Sequence, residues 1–206
     1  MGHADSKGRH VPIEKGPHTL SPPPERFRIV NRYIELMSSL LQLRRLPVWH
    51  GNIGKRLIKS PKIFLRDSGV LHPLLGIHDM DQILSHPVVG ASWEGFVIEN
   101  ILSTLHAGGA QVEAFFYRTA GGAELDLLLC LPGGARYAFE IKRSLSPQPG
   151  RGFWSACEDV RPQHTYIVYP GTEPYPISRE VTALPAEHLK QDVLMQIISG
   201  TPPGTR

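Results

Sequence analysis

One stretch of the chain, AELDLLLCLPGGARYAFEIK at residues 123–142, constrains the fold more than any other. LPGG (131–134) interrupts two apolar runs with a proline and two glycines, which is the chemistry of a tight hairpin turn. The runs on either side, 124–131 and 136–142, are therefore expected as antiparallel neighbours in one sheet. Side chains alternate across a strand, which puts Glu124 and Asp126 on one face and Leu125 and Leu127 on the other. By the same rule Glu140 and Lys142 share a face, opposite Phe139 and Ile141.

The surroundings of the hairpin extend the pattern. A helix is expected from Ser92 to His106, strands at 113–118 and 164–169, and a further helix near 153–160. Helix, three strands, helix, strand is an α/β order, and it implies a mixed sheet flanked by helices. On the first helix Phe96, Val97, Ile98, Ile101, Leu102 and Leu105 form an apolar arc. Glu94 sits in the middle of that arc, whereas Glu99 lies on the polar face. Carboxylates are rarely buried alone, so Glu94 calls for a salt bridge to a core-lining Arg or Lys, or for a functional role.

Asp126, Glu140 and Lys142 are expected to gather beside the helix that carries Glu94. Two or three carboxylates are hard oxygen ligands for Mg²⁺ or Mn²⁺, and an ammonium beside them suits a substrate phosphate. Taken alone, E-x-K is a weak pattern, the ordinary signature of cross-strand surface charge. Its weight comes from the order of the whole set.

The N-terminal part differs in charge. Residues 27–86 hold 9 Lys/Arg against 4 Asp/Glu, while residues 87–206 hold 9 against 12. Residues 1–26, rich in Pro, Gly and His, read as a disordered or peripheral arm. Segment 27–86 reads as a helix over about 27–40, then extended pieces at 43–49 and 62–67, then a connector. This is the latter half of a winged helix. Arg44, Arg45, Lys55, Arg56 and Lys59 are its candidate nucleic-acid-binding residues. GNIGKR (51–56) is no phosphate loop: Trp49 falls where the first glycine belongs, and Arg56 where Ser or Thr is required. Residues 87–195 form the second domain, and 196–206 a flexible tail.

Other classes of function find little support. His72, His78, Asp79, Asp81 and His86 crowd the connector without a zinc spacing. G-x-S-x-G is absent, Cys130 and Cys157 read as reduced core thiols, and Arg118, Arg143 and the three tryptophans read as ordinary surface or packing residues. With 41% apolar and 20% charged residues, no long apolar run and no signal-like N-terminus, a cytoplasmic protein without membrane contact is expected.

G-A-S-W-E (90–94), Asp126 in a strand and E-x-K (140–142) in the next resemble the PD-(D/E)XK nuclease superfamily. Its Holliday-junction-resolvase-like branch also places G-x-x-x-E in the first helix. A longer set resembles the C-terminal domain of a family of prokaryotic AAA-type ATPases. It comprises NIGKRLIKSPKIFLRDSGVLHPLLG, HPVVGASWEGFVIEN, FYRTAGGAELDLLL, FEIKRS and YIVYPG, and spans about residues 27–190. That resemblance implies a restriction-endonuclease-like module behind a winged helix and a P-loop ATPase. No Walker motif occurs here, so no ATP site is expected, and the chain reads as a fragment, a truncated frame or a free-standing descendant. The expectation is Mg²⁺-dependent hydrolysis of DNA by Glu94, Asp126, Glu140 and Lys142. Glu94, Asp126 and Glu140 would face the metal, and an ATPase partner would act in trans. The alternative is a docking module that keeps the fold and charges without catalysis. Oligomeric state is not legible.

Overall fold

The hairpin forms at the expected place. In a computed structural model, which describes residues 25–51, 54–58 and 60–201, Leu131 N donates to Ala135 O and Gly134 N to Leu131 O. Gly133 and Gly134 both take φ +88°, a conformation that a Cβ would strain.

In chain order the elements are α1 (Glu25–Ser39), β1 (Leu43–Leu46), β2 (Lys62–Leu65), α2 (Ser68–Leu74), α3 (Met80–Ser85) and α4 (Val89–Ala107). They continue with β3 (Glu113–Arg118), β4 (Glu124–Cys130), β5 (Arg136–Ile141), α5 (Arg151–Val160), β6 (His164–Tyr169), β7 (Tyr175–Ser178) and β8 (Val181–Pro185). Short helical turns follow, ending in α6 (Met195–Ser199).

The main sheet runs β3-β4-β5-β6-β8-β7. β5–β6 and β6–β8 are parallel and the other pairs antiparallel, so the class is mixed α/β. One face packs Leu127, Leu129, Phe139 and Ile141 against Val97, Ile98, Ile101 and Leu105 of α4. The opposite face packs Leu125, Leu128, Ala138 and Ile167 against Phe153, Ala156 and Val160 of α5.

Those two lists correct the simple alternation expected for β4. Leu125 and Leu127 lie in different cores. The reason is a register shift between β3 and β4: Phe115 faces Leu128, but Tyr117 faces Leu125. One extra residue on β4 makes a bulge, which resets which side chains face which layer. It falls beside Asp126.

β1 and β2 form a separate antiparallel pair, with Leu46 opposite Lys62. Val48 bridges Phe116 and Leu57 bridges Thr119, which stitches this unit to the edge strand β3. α1 begins at Glu25 and carries the expected helical spacing, yet Ile29, Tyr33, Leu36, Met37 and Leu40 all remain exposed. Phe96, expected in the apolar arc of α4, is exposed too.

The connector holds two short helices that its reading as a connector did not include. Asp67 caps α2 through Gly69 N, and Asp79 caps α3 through Gln82 N. Order also runs past residue 195 into the segment expected to be a flexible tail, because Ile197 of α6 is buried in the α4-side core. The expected arm, residues 1–26, lies almost wholly outside the described residues.

Candidate functional site

The four candidate acid and lysine residues come from three elements that meet at the end of the β4–β5 pair. Glu94 comes from the first turns of α4, Asp126 from the bulged part of β4, and Glu140 from the end of β5, with Lys142 just beyond it. Lys142 is fixed through its backbone on both sides. Its N–H donates to Val168 O, and its carbonyl accepts from Trp93 Nε1 at 3.2 Å.

A fifth residue, not anticipated from the sequence, organises the cluster. Lys62, at the start of β2, donates to Glu94 Oε1 at 2.7 Å and to Asp126 Oδ1 at 2.9 Å. Its ammonium also lies 3.2 Å from Glu124 Oε1 and 5.5 Å from the Phe116 ring centroid. Lys62 and Phe64 occupy the same inward-facing alternation on β2, where Ile63 points outward. A lysine on the face of a core phenylalanine was the signal available in KIFL. Glu94 thus has the core-lining cation its place on the helix demanded, and shares it with Asp126.

Asp126 works in two directions. Its Oδ1 meets Lys62, while Oδ2 accepts from Ile141 N at 2.9 Å, one residue from Glu140. Glu140 accepts from Lys142 Nζ at 2.6 Å through Oε1. Its other oxygen, Oε2, is buried without a hydrogen-bond partner. The order through space is Glu94, Lys62, Asp126, then Glu140 and Lys142: carboxylates threaded by two ammonium groups. Among the described residues, no three Asp, Glu, His or Cys side chains close around a common point as metal ligands do.

Charge crowding shifts these groups. Burial, then the Asp126 charge, pushes Glu140 up to about 7, against the pull of Lys142. Burial and Asp126 also raise Glu94, opposed by Lys62. Burial disfavours the Lys62 ammonium, but Asp126 and Glu94 outweigh it and hold the group above the ordinary lysine range.

The residues present suit a hard divalent cation in one respect. A buried carboxylate oxygen with no donor, next to a second carboxylate, is costly unless something positive reaches it. Asp126 and Glu140 would hold such an ion with water completing the shell. Glu94 is turned to Lys62 and could join only if that ion pair opened.

The basic set separates. Arg44 is committed to Glu99, with Nε 2.9 Å from Oε2, and Arg66 binds the same carboxylate at 2.6 Å. These ties lock β1 and the end of β2 onto α4, and they leave Arg44, a candidate nucleic-acid contact, paired with a carboxylate. Lys55 is paired with Asp159 at 2.7 Å, and Tyr117 Oη donates to the same carboxylate. Arg45 and Arg56 are exposed. Lys59 lies outside the described residues.

Two of the connector histidines do structural work. His72 Nε2 meets Ser92 Oγ at 2.8 Å, and His86 Nδ1 accepts from Val88 N. Cys157 is half-buried and its thiol is pushed up to about 11 by burial, so it is no thiolate at neutral pH. No helix among the described residues is long and apolar enough to cross a membrane.

The fold and cluster define a mixed α/β domain with a carboxylate–lysine centre, joined to a small helix and two-strand unit. Comparisons divide the chain at the same place. Residues 89–189 match the family model described as Domain of unknown function (DUF4143), and residues 24–81 match Domain of unknown function (DUF8612). Over 158 residues the chain is 43% identical to uncharacterized protein Mb2031c of Mycobacterium bovis and to uncharacterized protein Rv2008c of Mycobacterium tuberculosis. The match covers 77% of this chain and 35% of each relative, so the chain spans about a third of their length. No solved structure matches it.

Proposed function

We propose that the 89–189 domain is a metal-dependent phosphodiesterase of the PD-(D/E)XK type, acting on nucleic acid. The observation that carries this reading is the meeting of Asp126, Glu140 and Lys142 at one strand end, with Glu140 Oε2 buried and unpartnered. A bound Mg²⁺ or Mn²⁺ would supply a water of lowered pKa and charge stabilisation on phosphoryl oxygens. Asp126 and Glu140 would hold that ion, and the Ile141 amide keeps Asp126 in place. Lys142, half-exposed and anchored through its own backbone, presents a cation to the phosphate as negative charge builds on it. Exposed Arg45 and Arg56 contribute backbone contacts to DNA. An ATPase supplied in trans is part of the proposal.

A second reading has its own observation: the Lys62 and Lys142 ammonium groups already balance much of the cluster, as a docking module without metal requires. Calorimetry with Mn²⁺ separates the two. The nuclease reading expects binding by wild type and its loss in Asp126→Asn, a variant that keeps an acceptor for Ile141 N. Absence of Mn²⁺ binding by the folded wild-type chain favours the docking module.

A further inference from the structure

Lys62 stands where the cluster's cation belongs, yet it comes from outside the domain that holds the carboxylates. It sits on β2, within the 24–81 segment, and reaches Glu94, Glu124 and Asp126, all in the 89–189 segment. Its side chain is largely buried, at 16% exposure. Asp126 Oδ1, one of the oxygens a divalent ion would take, is occupied by Lys62 at 2.9 Å. Coulomb repulsion between an ammonium and a dication sharing one carboxylate is severe in a partly buried site.

We propose that Lys62 is a built-in counter-ion that closes the cluster in the metal-free chain, and that a divalent ion enters only by displacing it. The inference rests on the metal reading above and adds its regulation: the 24–81 unit controls access to the acidic centre. Displacement is mechanically easy. A lysine head moves on four methylenes without moving its backbone. β2 also keeps independent ties to α4 through the Arg66–Glu99 pair and through Phe64, which packs against Gly95 where a Cβ would come to 3.1 Å. Once freed, Glu94 turns from Lys62 toward the ion, which explains a carboxylate that a Lys-bound cluster alone does not need so near Asp126.

The experiment measures Mn²⁺ affinity of the whole chain by calorimetry for wild type, Lys62→Met and Lys62→Arg. Removing the competing charge should tighten Mn²⁺ binding by about tenfold or more in the Met variant, whereas Arg should bind no tighter than wild type. If the wild type binds and the folded Met variant binds equally or more weakly, Lys62 is no competitor and the metal reading still stands. If neither binds, the metal reading falls and takes this inference with it. Should Lys62→Met not fold, labelling of the wild type decides instead. Amine acetylation followed by peptide mass analysis should find Lys62 protected without metal and several-fold more reactive with saturating Mn²⁺. Unchanged reactivity with metal bound overturns the proposal.

Discussion

Glu140 ties the chemistry of the cluster to stability. Its pKa rises from an ordinary 4.5 to about 7 in the fold, with burial first and Asp126 second as the causes. The folded chain therefore holds this proton more tightly than the unfolded chain. Any stability that follows from holding it is present below about 4.5 and lost as pH climbs through about 7. Glu140→Gln removes the penalty of the charged form. Thermal melts should show the variant more stable than wild type at pH 8, by on the order of 2–3 kcal/mol, with the gain shrinking toward pH 4.5. A gain that ignores pH would mean that the carboxylate is not strained. At this scale the sequence revealed the acids but not their partners. Glu94 announced its need of a cation by standing on an apolar helix face, Glu140 and Lys142 followed from alternation, and Asp126 from its order in the set. Lys62 stayed hidden because it looked like one more residue of a basic stretch. Only its phase relative to Phe64 showed otherwise, and phase matters only once β2 is known to lie over α4.

Elements were legible where the pattern was long. α4, β3, β6 and the hairpin fall close to where periodicity and turn chemistry put them. α2, α3, β7, β8 and α6 are too short for a periodicity to declare itself, and they exist because caps and tertiary burial hold them. The β4 bulge was equally invisible, since an inserted residue leaves composition unchanged, yet it decides where Asp126 points. Two contacts carry predictions here. Gly152, in the first turn of α5, lies so close to the β3–β4 loop that a Cβ would meet Gly122 O at 2.3 Å. Because a backbone carbonyl cannot swing aside, Gly152→Ala should cost about 1–3 kcal/mol, read as a lower denaturant midpoint. Unaltered stability would mean that α5 is free to slide. Glu99 accepts both Arg44 and Arg66, and its side chain is 13% exposed. Glu99→Ala leaves two guanidinium groups unpaired, so chemical denaturation should show a loss of about 1–3 kcal/mol. A neutral result would assign the β1–β2 attachment to the Phe64 contact instead.

At the scale of the whole molecule, an acidic-centred α/β domain is joined to a basic unit by salt bridges, among them a lysine planted in its candidate site. The charge division was plain in the sequence, and so was the mixed sheet. What was not plain is that much of the basic segment is spent internally, on Glu99, Asp159 and the cluster. DNA affinity, if it resides in this unit, therefore falls to the cations left exposed and outside these pairs, Arg28, Arg32, Arg45 and Arg56 among the described residues, of which Arg45 and Arg56 lie on the β1–β2 segment. Alanine at both should weaken binding about equally for unrelated sequences and flatten its salt dependence, since phosphate contacts carry no base information. Lys55→Ala should act mainly on stability. The reverse pattern would show that the Lys55–Asp159 pair opens onto the nucleic acid.

The central claim is that Lys142 serves a reaction, and Lys142→Met puts it to the most direct test. Wild type and variant are compared for DNA binding in Ca²⁺ and for cleavage of single-stranded, duplex and branched DNA in Mg²⁺ or Mn²⁺. Binding should stay nearly intact, because distributed phosphate contacts supply it, while cleavage falls by roughly 10²–10³. Metal-dependent cleavage that survives in Lys142→Met, or a folded wild type that cuts none of these substrates in either metal, would contradict the account.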